Sequence, residues 1–176
     1  NDGYLSPLVA KAMDNEFDLS GINTRAGEYK ADQLHKLMDN DALARQVLIE
    51  ILAYGRQRKS WLIFCTGVNH AEKMAQIIAE HGITTATITG ATPPDVRDTI
   101  LELFKSGHIQ CLTNCDVLTT GFDAPITDML VFLRPTQSPG LYVQMCGRGM
   151  RLAENKKDCL VLDFGGNTQR HGPINA

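Results

Sequence analysis

The spacing of apolar residues along the chain changes near residue 60. Between residues 30 and 56, apolar residues recur at offsets of three, four and seven, which predicts two amphipathic helices. The polar residues 39–41 predict a break between these helices that also caps the second one. Neither helix carries a recognisable motif, so we expect both to serve core packing. Residues 16–19 predict a short strand in the otherwise featureless start of the chain.

After residue 59, short apolar runs alternate with helical stretches. Strands are predicted at residues 61–65, 84–89, 109–113, 129–133 and 160–164, and helices are predicted to begin near residues 69, 93 and 138. The apolar face of the second of these helices is expected to point inward through Val96, Ile100, Leu103 and Phe104. This alternation is typical of an α/β fold with a mainly parallel sheet covered on both faces. Functional loops of such sheets follow the carboxyl ends of the strands. The predicted loops are residues 66–67, 89–90, 113–123 and 134–136.

Composition narrows the function classes. Hydrophobic residues make up 43% and charged residues 21% of the 176 residues, which is typical of a folded globular protein. The formal net charge of −3 argues against nucleic-acid binding driven by bulk charge alone, although backbone amides can still hold phosphates. No apolar stretch is long enough to cross a bilayer and no signal peptide is recognisable, so a cytoplasmic location and no membrane partner are expected. The chain begins at Asn1 and is expected to be a fragment of a longer protein.

The chain has five cysteines, none of them in a C-x-x-C pair or near histidines at zinc-site spacing. Three of them, Cys65, Cys111 and Cys159, belong to the apolar runs of predicted strands or lie directly beside them. We therefore expect small buried hydrophobic side chains and no metal site.

The sharpest chemical pattern is the stretch QMCGRGMR at residues 144–151. Arg148 and Arg151 are three residues apart, which predicts that they share one face of a helix end beside flexible glycines. Two guanidinium groups at this spacing suit the bidentate recognition of phosphate. The alternative is a pair of solvated arginines held by acidic neighbours.

A second pattern, TNCDVLTTGFDAP at residues 113–125, follows a predicted strand. Its hydroxyls and backbone amides suit phosphates, and the carboxylate of Asp123 can accept a hydrogen bond from a ribose hydroxyl. The alternative is an ordinary turn with Asx-type capping.

The order of these segments resembles the C-terminal motor domain of superfamily-two helicases of the DEAD/DEAH type. Residues 61–67 resemble motif IV, residues 113–125 resemble motif V, and residues 144–151 match the Q-x-x-G-R-x-x-R form of motif VI. Thr89 and Gly90, followed by Arg97 and Phe104, fit the usual turn and helix between them. Among the branches of this family, the motif sequences of this chain are most similar to those of the type III restriction and RadD-like branch. The resemblance implies a three-layer αβα RecA-like domain of the P-loop NTPase type.

The resemblance also implies a role for individual residues. Arg151 would be an arginine finger reaching the γ-phosphate, with Arg148 assisting it and Gln144 coupling the nucleotide to the domain interface. Gly121 and Asp123 would line the nucleotide cleft. The residues that would face the nucleic-acid backbone are Thr66, Gly67, Thr89, Gly90 and Thr113. Cys115 stands where many relatives place the backbone-binding threonine, so either Thr113 or Cys115 would meet phosphate.

The chain lacks a phosphate-binding loop of the form G-x-x-x-x-G-K-S/T and a magnesium-holding acidic motif. ATP and Mg²⁺ would then be bound mainly by an N-terminal RecA-like domain of the same protein, and this chain alone is predicted to hydrolyse no ATP. Residues 1–58 would be a linker and flanking helical segment, and residues 59–176 the motor domain proper. The expected partner is nucleic acid, DNA rather than RNA.

Two other classes remain as alternatives. A dinucleotide-binding enzyme would need a complete G-x-G-x-x-G, whereas the pattern that starts at Gly147 has Leu152 in its last position. A non-catalytic interaction module could keep the fold without the chemistry, although intact Gln144, Arg148 and Arg151 argue against it.

Overall fold

A computed structural model describes residues 5–117 and 122–173 of the chain. The strands are β1 (Leu8–Ala12), β2 (Thr24–Arg25), β3 (Glu28–Tyr29), β4 (Trp61–Phe64), β5 (Thr85–Ile88), β6 (Cys111–Asn114), β7 (Met129–Phe132) and β8 (Cys159–Asp163). The helices are α1 (Ala31–Met38), α2 (Asp41–Gly55), α3 (Val68–Ala79), α4 (Pro94–Lys105), α5 (Pro139–Gly147) and α6 (Asn167–His171).

The main sheet has the strand order β1-β8-β7-β4-β6-β5, and all of its neighbouring strands pair in parallel. Strands β4, β6, β7 and β8 are buried along their whole length, because helices cover both faces. One core cluster joins the sheet to α2 and α3, and a second joins the opposite face to α4 and α5. The three-layer α/β prediction is confirmed.

The two helices expected before residue 60 are present as α1 and α2. Asn40 caps α2 by accepting a hydrogen bond from the Leu43 amide at 3.1 Å, as the polar break predicts. The inner face of α2 buries Val47, Leu48 and Ile51 in the core, which confirms the packing role.

The strand expected at residues 16–19 is wrong. This segment has no regular structure and serves to insert Phe17 into the core. The Phe17 amide donates to the Phe164 carbonyl at 2.8 Å, and the two rings lie 6.1 Å apart. An aromatic residue that fills a core position from a loop has the same apolar signature as a short strand, which explains the error.

A strand that the sequence pattern did not reveal, β1, extends the sheet beside β8. Both sides of the expected boundary at residues 58 and 59 therefore contribute to one sheet, since β1 precedes the boundary and β8 follows it. Four of the five β1 residues are exposed, so this edge strand lacks the apolar alternation that would have predicted it.

The inward orientation expected for α4 is partly wrong. Phe104 is fully buried, whereas Val96 is 44% and Leu103 39% exposed. Helix α4 lies at the open edge of the sheet beside β5, where Phe104 joins the core and the partly buried Ile100 and Leu101 pack against it. At the edge of a sheet, a helix covers only a small part of the sheet surface, so some of its apolar residues stay exposed.

All five cysteines are free and buried, which confirms the burial expected for them. Burial raises the pKa of the Cys146 and Cys159 thiols to about 12. Within residues 5–117 and 122–173, no cluster of three or more His, Cys, Asp or Glu side chains could hold a metal ion. The helices in these ranges are all too short or too polar to cross a membrane.

Candidate functional site

The two arginines of residues 144–151 do not share a helix face. Helix α5 ends at Gly147, Arg148 is its C-cap, and Arg151 lies beyond it in a segment without regular secondary structure. Two tight backbone hydrogen bonds, from Gly149 to the Cys146 carbonyl at 3.1 Å and from Met150 to the Gly147 carbonyl at 3.3 Å, close the last turn. The chain then leaves the helix axis.

The arginines nevertheless meet in one cleft of about 250 Å³, which we call the arginine cleft. Its lining residues are Phe122, Asp123, Ala124, Gly147, Arg148 and Arg151. The cleft therefore combines the end of the Gly- and hydroxyl-rich segment with the end of α5. These two stretches are more than twenty residues apart in sequence, and tertiary structure brings them together.

Charge contacts organise the arginine cleft. The Arg151 guanidinium forms an ion pair with the Asp123 carboxylate at 2.8 Å, and both side chains are about half exposed (57% and 46%). Arg148 donates to the Phe122 carbonyl at 3.2 Å, and its guanidinium carbon lies 5.8 Å from the centre of the Phe122 ring. Burial lowers the pKa of Arg148, while the charge of Asp123 acts in the opposite direction. The guanidinium remains protonated at neutral pH.

Gln144 lies apart from the arginine cleft, although the motif places it only four residues before Arg148. It is exposed on α5 and lines a separate small cavity of about 90 Å³, which includes the ion-paired side chains of Asp116 and Arg134. Arg134 belongs to the loop predicted after β7, but its pairing with Asp116 was not foreseen. Gly121, expected beside Asp123, lies outside the described residues.

Thr66 and Gly67 follow the carboxyl end of β4, as predicted. Gly67 is the N-cap of α3 and borders a cavity of about 550 Å³, which His35 and Lys73 also line. A Cβ atom on Gly67 would lie 2.6 Å from His35 Nε2, so a larger residue here would displace the His35 side chain. Thr66 is 9% exposed, and its amide donates to His70 Nδ1 at 3.2 Å. The threonine is thus held in place by the helix it precedes.

Thr89 and Gly90 form a turn after β5. The Thr89 amide donates to the Thr92 hydroxyl at 3.0 Å, and the Thr89 hydroxyl accepts from the Ala91 amide at 3.2 Å. Gly90 is exposed, and a Cβ atom there would meet no atom within 4 Å. This turn presents backbone and little side chain to solvent.

Thr113 has a different environment from the other predicted contact residues. Its side chain is fully buried, its hydroxyl donates to the Ala71 carbonyl at 2.9 Å, and it lies 2.8 Å from the Thr87 hydroxyl. Cys115 is 8% exposed. Thr113 therefore joins strand β6 to α3, and this geometry argues against direct contact between its side chain and a polymer outside.

Sequence reasoning missed Phe122 and Lys156 as parts of this region. Phe122 forms one wall of the arginine cleft and packs against Phe104 at 6.3 Å between ring centres. Lys156 binds backbone carbonyls of both segments that form the cleft. A phenylalanine between Gly121 and Asp123 is visible in the sequence, but no spacing rule connects Lys156 to a residue thirty positions earlier.

Comparison with known proteins gives consistent results. The model of the helicase conserved C-terminal domain matches residues 43–153. The candidate ATP-dependent helicase IRC3 of Saccharomyces cerevisiae is 31% identical over 167 residues, which cover 93% of this chain and 24% of that protein. The chain thus spans about a quarter of the length of this relative.

Two solved structures share the fold. A fragment of a candidate HsdR subunit of a type I restriction enzyme from Vibrio vulnificus YJ016 superposes with a TM-score of 0.71 at 24% identity, covering 98% of this chain and 34% of that one. Domain 2 of the DEAD-box helicase Mss116p bound to an RNA duplex superposes with a TM-score of 0.56 at 15% identity, covering 90% and 54%.

Proposed function

This chain belongs to the helicase conserved C-terminal domain family, as the RecA-like C-terminal domain of a superfamily-two helicase, and on that premise we propose that it is the second motor domain of an ATP-dependent nucleic-acid helicase or translocase. In this role it supplies an arginine finger and part of the grip on the nucleic acid. The observation that carries the proposal is the convergence of Arg148, Arg151 and Asp123 in one open cleft.

The arginine cleft fits a phosphate group that another domain presents. The Arg151–Asp123 ion pair is half exposed, and exposed pairs of this kind contribute only about 0–1 kcal/mol. Arg151 can therefore exchange Asp123 for a phosphate oxygen at low cost. Charge-assisted hydrogen bonds to a polyphosphate would stabilise the negative charge that develops during phosphoryl transfer.

Asp123 fits a ribose hydroxyl at the same time. A carboxylate has about four lone-pair sites, so the oxygen that does not bind Arg151 can accept a further hydrogen bond. Arg148 is more enclosed than Arg151 and bound to the Phe122 carbonyl, so it provides a fixed positive charge at the base of the cleft. These three side chains would orient the nucleotide and supply charge from this domain.

The cradle for ATP and the ligands for Mg²⁺ are proposed to come from an N-terminal RecA-like domain of the same protein. The part of the chain that the structure describes has no acidic cluster suited to a metal ion. A bound nucleotide would supply the phosphoryl group, and this domain would sense it through Arg151 and Arg148. The chain without its partner domain is then inactive as an ATPase.

The grip on nucleic acid is proposed at the carboxyl edge of the sheet. Gly90 lies there on exposed backbone, and the buried Gly67 caps the N-terminal end of α3, where amides attract phosphate. Contacts of this type position a polymer without recognising its sequence. DNA is proposed as the polymer, and RNA, which is bound in the structure of Mss116p domain 2, is the other arm of the test.

The test is ATP hydrolysis by the full-length protein with single-stranded, double-stranded and branched DNA and with RNA. Arg151→Ala is expected to lower stimulated turnover by about 10³-fold or more, the range known for arginine fingers. The polymer that stimulates turnover identifies the substrate class.

Arg45→Ala is the matched control. Arg45 also forms an exposed ion pair, with Glu80 at 3.2 Å, and its side chain is 55% exposed. This variant should keep wild-type turnover within about twofold, since such pairs contribute little. Equal turnover of the Arg151→Ala and wild-type proteins would refute the arginine-finger role and favour the interaction module.

A further inference from the structure

Lys156 lies outside every motif of the chain, yet its ammonium group binds three backbone carbonyls. Nζ lies 2.6 Å from the Arg151 carbonyl, 2.9 Å from the Gly149 carbonyl and 3.1 Å from the Pro125 carbonyl. A lysine ammonium has three N–H donors, so these acceptors satisfy it completely. Two of the carbonyls belong to residues 148–151, which we call the arginine segment, and one belongs to the segment that contains Asp123.

The chain turns sharply to bring Lys156 to this position. Asn155 adopts a left-handed conformation with φ of 66°, which asparagine tolerates better than most residues. The Lys156 amide then donates to the Ala153 carbonyl at 3.2 Å. The side chain folds back beneath Arg151 and does not extend into solvent.

Lys156 is half-buried, and burial lowers the pKa of its ammonium. A cation in such a place is stabilised only if its donors are satisfied, which the three carbonyls achieve. The ammonium therefore joins two pieces of backbone that share no regular secondary structure. Other contacts of these segments include the exposed Arg151–Asp123 ion pair, the hydrogen bond from Arg148 to the Phe122 carbonyl and the hydrogen bond from the Ser6 amide to the Met150 carbonyl, whereas Lys156 binds the backbone of Arg151 itself.

We propose that Lys156 is a positioning residue that fixes the backbone of Arg151 against the segment of Asp123, so that the arginine finger is held ready at the cleft. This inference rests on the proposed function for its catalytic consequence, but its structural part is independent. Lys156 binds carbonyls alone in this arrangement, so it acts through Arg151 and not on the nucleotide.

The structural part is tested by amide hydrogen exchange on the full-length protein. Lys156→Met should speed exchange of peptides covering residues 122–126 and 149–153 by about tenfold or more, the order expected for losing one charge-assisted hydrogen bond. Lys157→Met, at the exposed neighbouring lysine, should leave both peptides unchanged. Lys156→Arg keeps the positive charge but does not place three donors on one atom. Its exchange rates in these peptides should therefore lie between those of the Lys156→Met and Lys157→Met proteins. Unchanged exchange in Lys156→Met would overturn the proposal.

The catalytic part is tested by a double-mutant cycle with Arg151→Ala, after thermal unfolding shows that the variants are folded. Lys156→Met alone should lower kcat by about tenfold and change KM for ATP by less than about twofold, because the lost step is alignment in the transition state. In the Arg151→Ala background it should cost nothing further. The same loss in both backgrounds would contradict action through Arg151. If Arg151→Ala is itself harmless, the proposed function fails, whereas the exchange result still decides whether Lys156 anchors the backbone.

Discussion

Gly149 allows the arginine segment to leave helix α5, and its replacement by alanine tests how closely this segment is packed. A Cβ atom at Gly149 would lie 2.5 Å from Cys159 Sγ, 3.1 Å from Cys159 Cβ and 3.1 Å from Leu130 Cδ1. Both neighbours are fully buried in strands of the central sheet. Neither can move away without disturbing β7 or β8.

The magnitude follows from two opposing effects. Overpacking a buried site by one methyl group costs about 1–3 kcal/mol. Replacing glycine restricts the unfolded chain, which returns about 0.4–1 kcal/mol. We expect Gly149→Ala to lower the free energy of unfolding by about 1–2 kcal/mol, which corresponds to a fall of roughly 2–8 °C in Tm for a chain of this size. Urea and thermal unfolding measure both quantities.

Two further variants identify the cause. Gly147→Ala adds the same methyl group two residues earlier, where it meets no atom within 4 Å, so stability should be unchanged or slightly higher. Cys159→Ala removes the sulfur that lies closest to the new methyl group, so Gly149→Ala should cost at least about 1 kcal/mol less in that background. Additive effects of the two substitutions, or a Gly149→Ala protein as stable as wild type, would refute the steric explanation.

Two other predictions concern buried polar side chains. Thr113→Val removes the hydroxyl that donates to the Ala71 carbonyl and contacts Thr87, so it should lower the free energy of unfolding by about 1–2 kcal/mol. If the side chain is structural, the affinity of the Thr113→Val protein for nucleic acid, measured by fluorescence anisotropy, should change by less than about twofold. A large loss of affinity would show that Thr113 is a contact residue after all. Burial lowers the pKa of His70 from 6.5 to about 4. Between these two pH values the unfolded chain therefore binds more protons than the folded chain does. The contribution of neutral His70 to the free energy of unfolding is complete above pH 6.5 and is lost as the pH falls towards 4. This loss is about 3 kcal/mol at most. His70→Asn keeps an acceptor for the Thr66 amide and should remove this part of the pH dependence, as measured by urea unfolding at several pH values. If the free energy of unfolding of this variant changed with pH as steeply as that of the wild type, the assignment to His70 would be wrong.

The sequence predicted most of the fold because buried parallel strands are continuous apolar runs. Residues 129–133 and 160–164 are examples, and the structure contains β7 and β8 there, shifted by one residue at most. Edge elements were harder to predict. Strand β1 is mostly exposed and pairs with a strand some 150 positions later, so neither composition nor local spacing identifies it.

The chemistry of the candidate site was predictable in part for a related reason. Arg148, Arg151 and Asp123 were identified because their residue types and spacing carry the chemistry. Their geometry was not predictable, since the arginines converge through a turn after α5 and not along its face. Thr113 was expected to face the nucleic-acid backbone because the family resemblance implied it, whereas the fold uses its hydroxyl to join a strand to a helix.

The position of the arginine cleft depends on two residues that act on the same backbone in different ways. Gly149 lets this backbone approach Cys159 and Leu130, because any larger residue would push it outward. Lys156 links it to Pro125 through the Gly149 and Arg151 carbonyls. Neither residue needs to contact a phosphate to determine the position of the Arg151 backbone. An exposed arginine whose backbone is fixed in this way loses only side-chain freedom when it meets a ligand, which suits the phosphate-sensing role that we propose for Arg151.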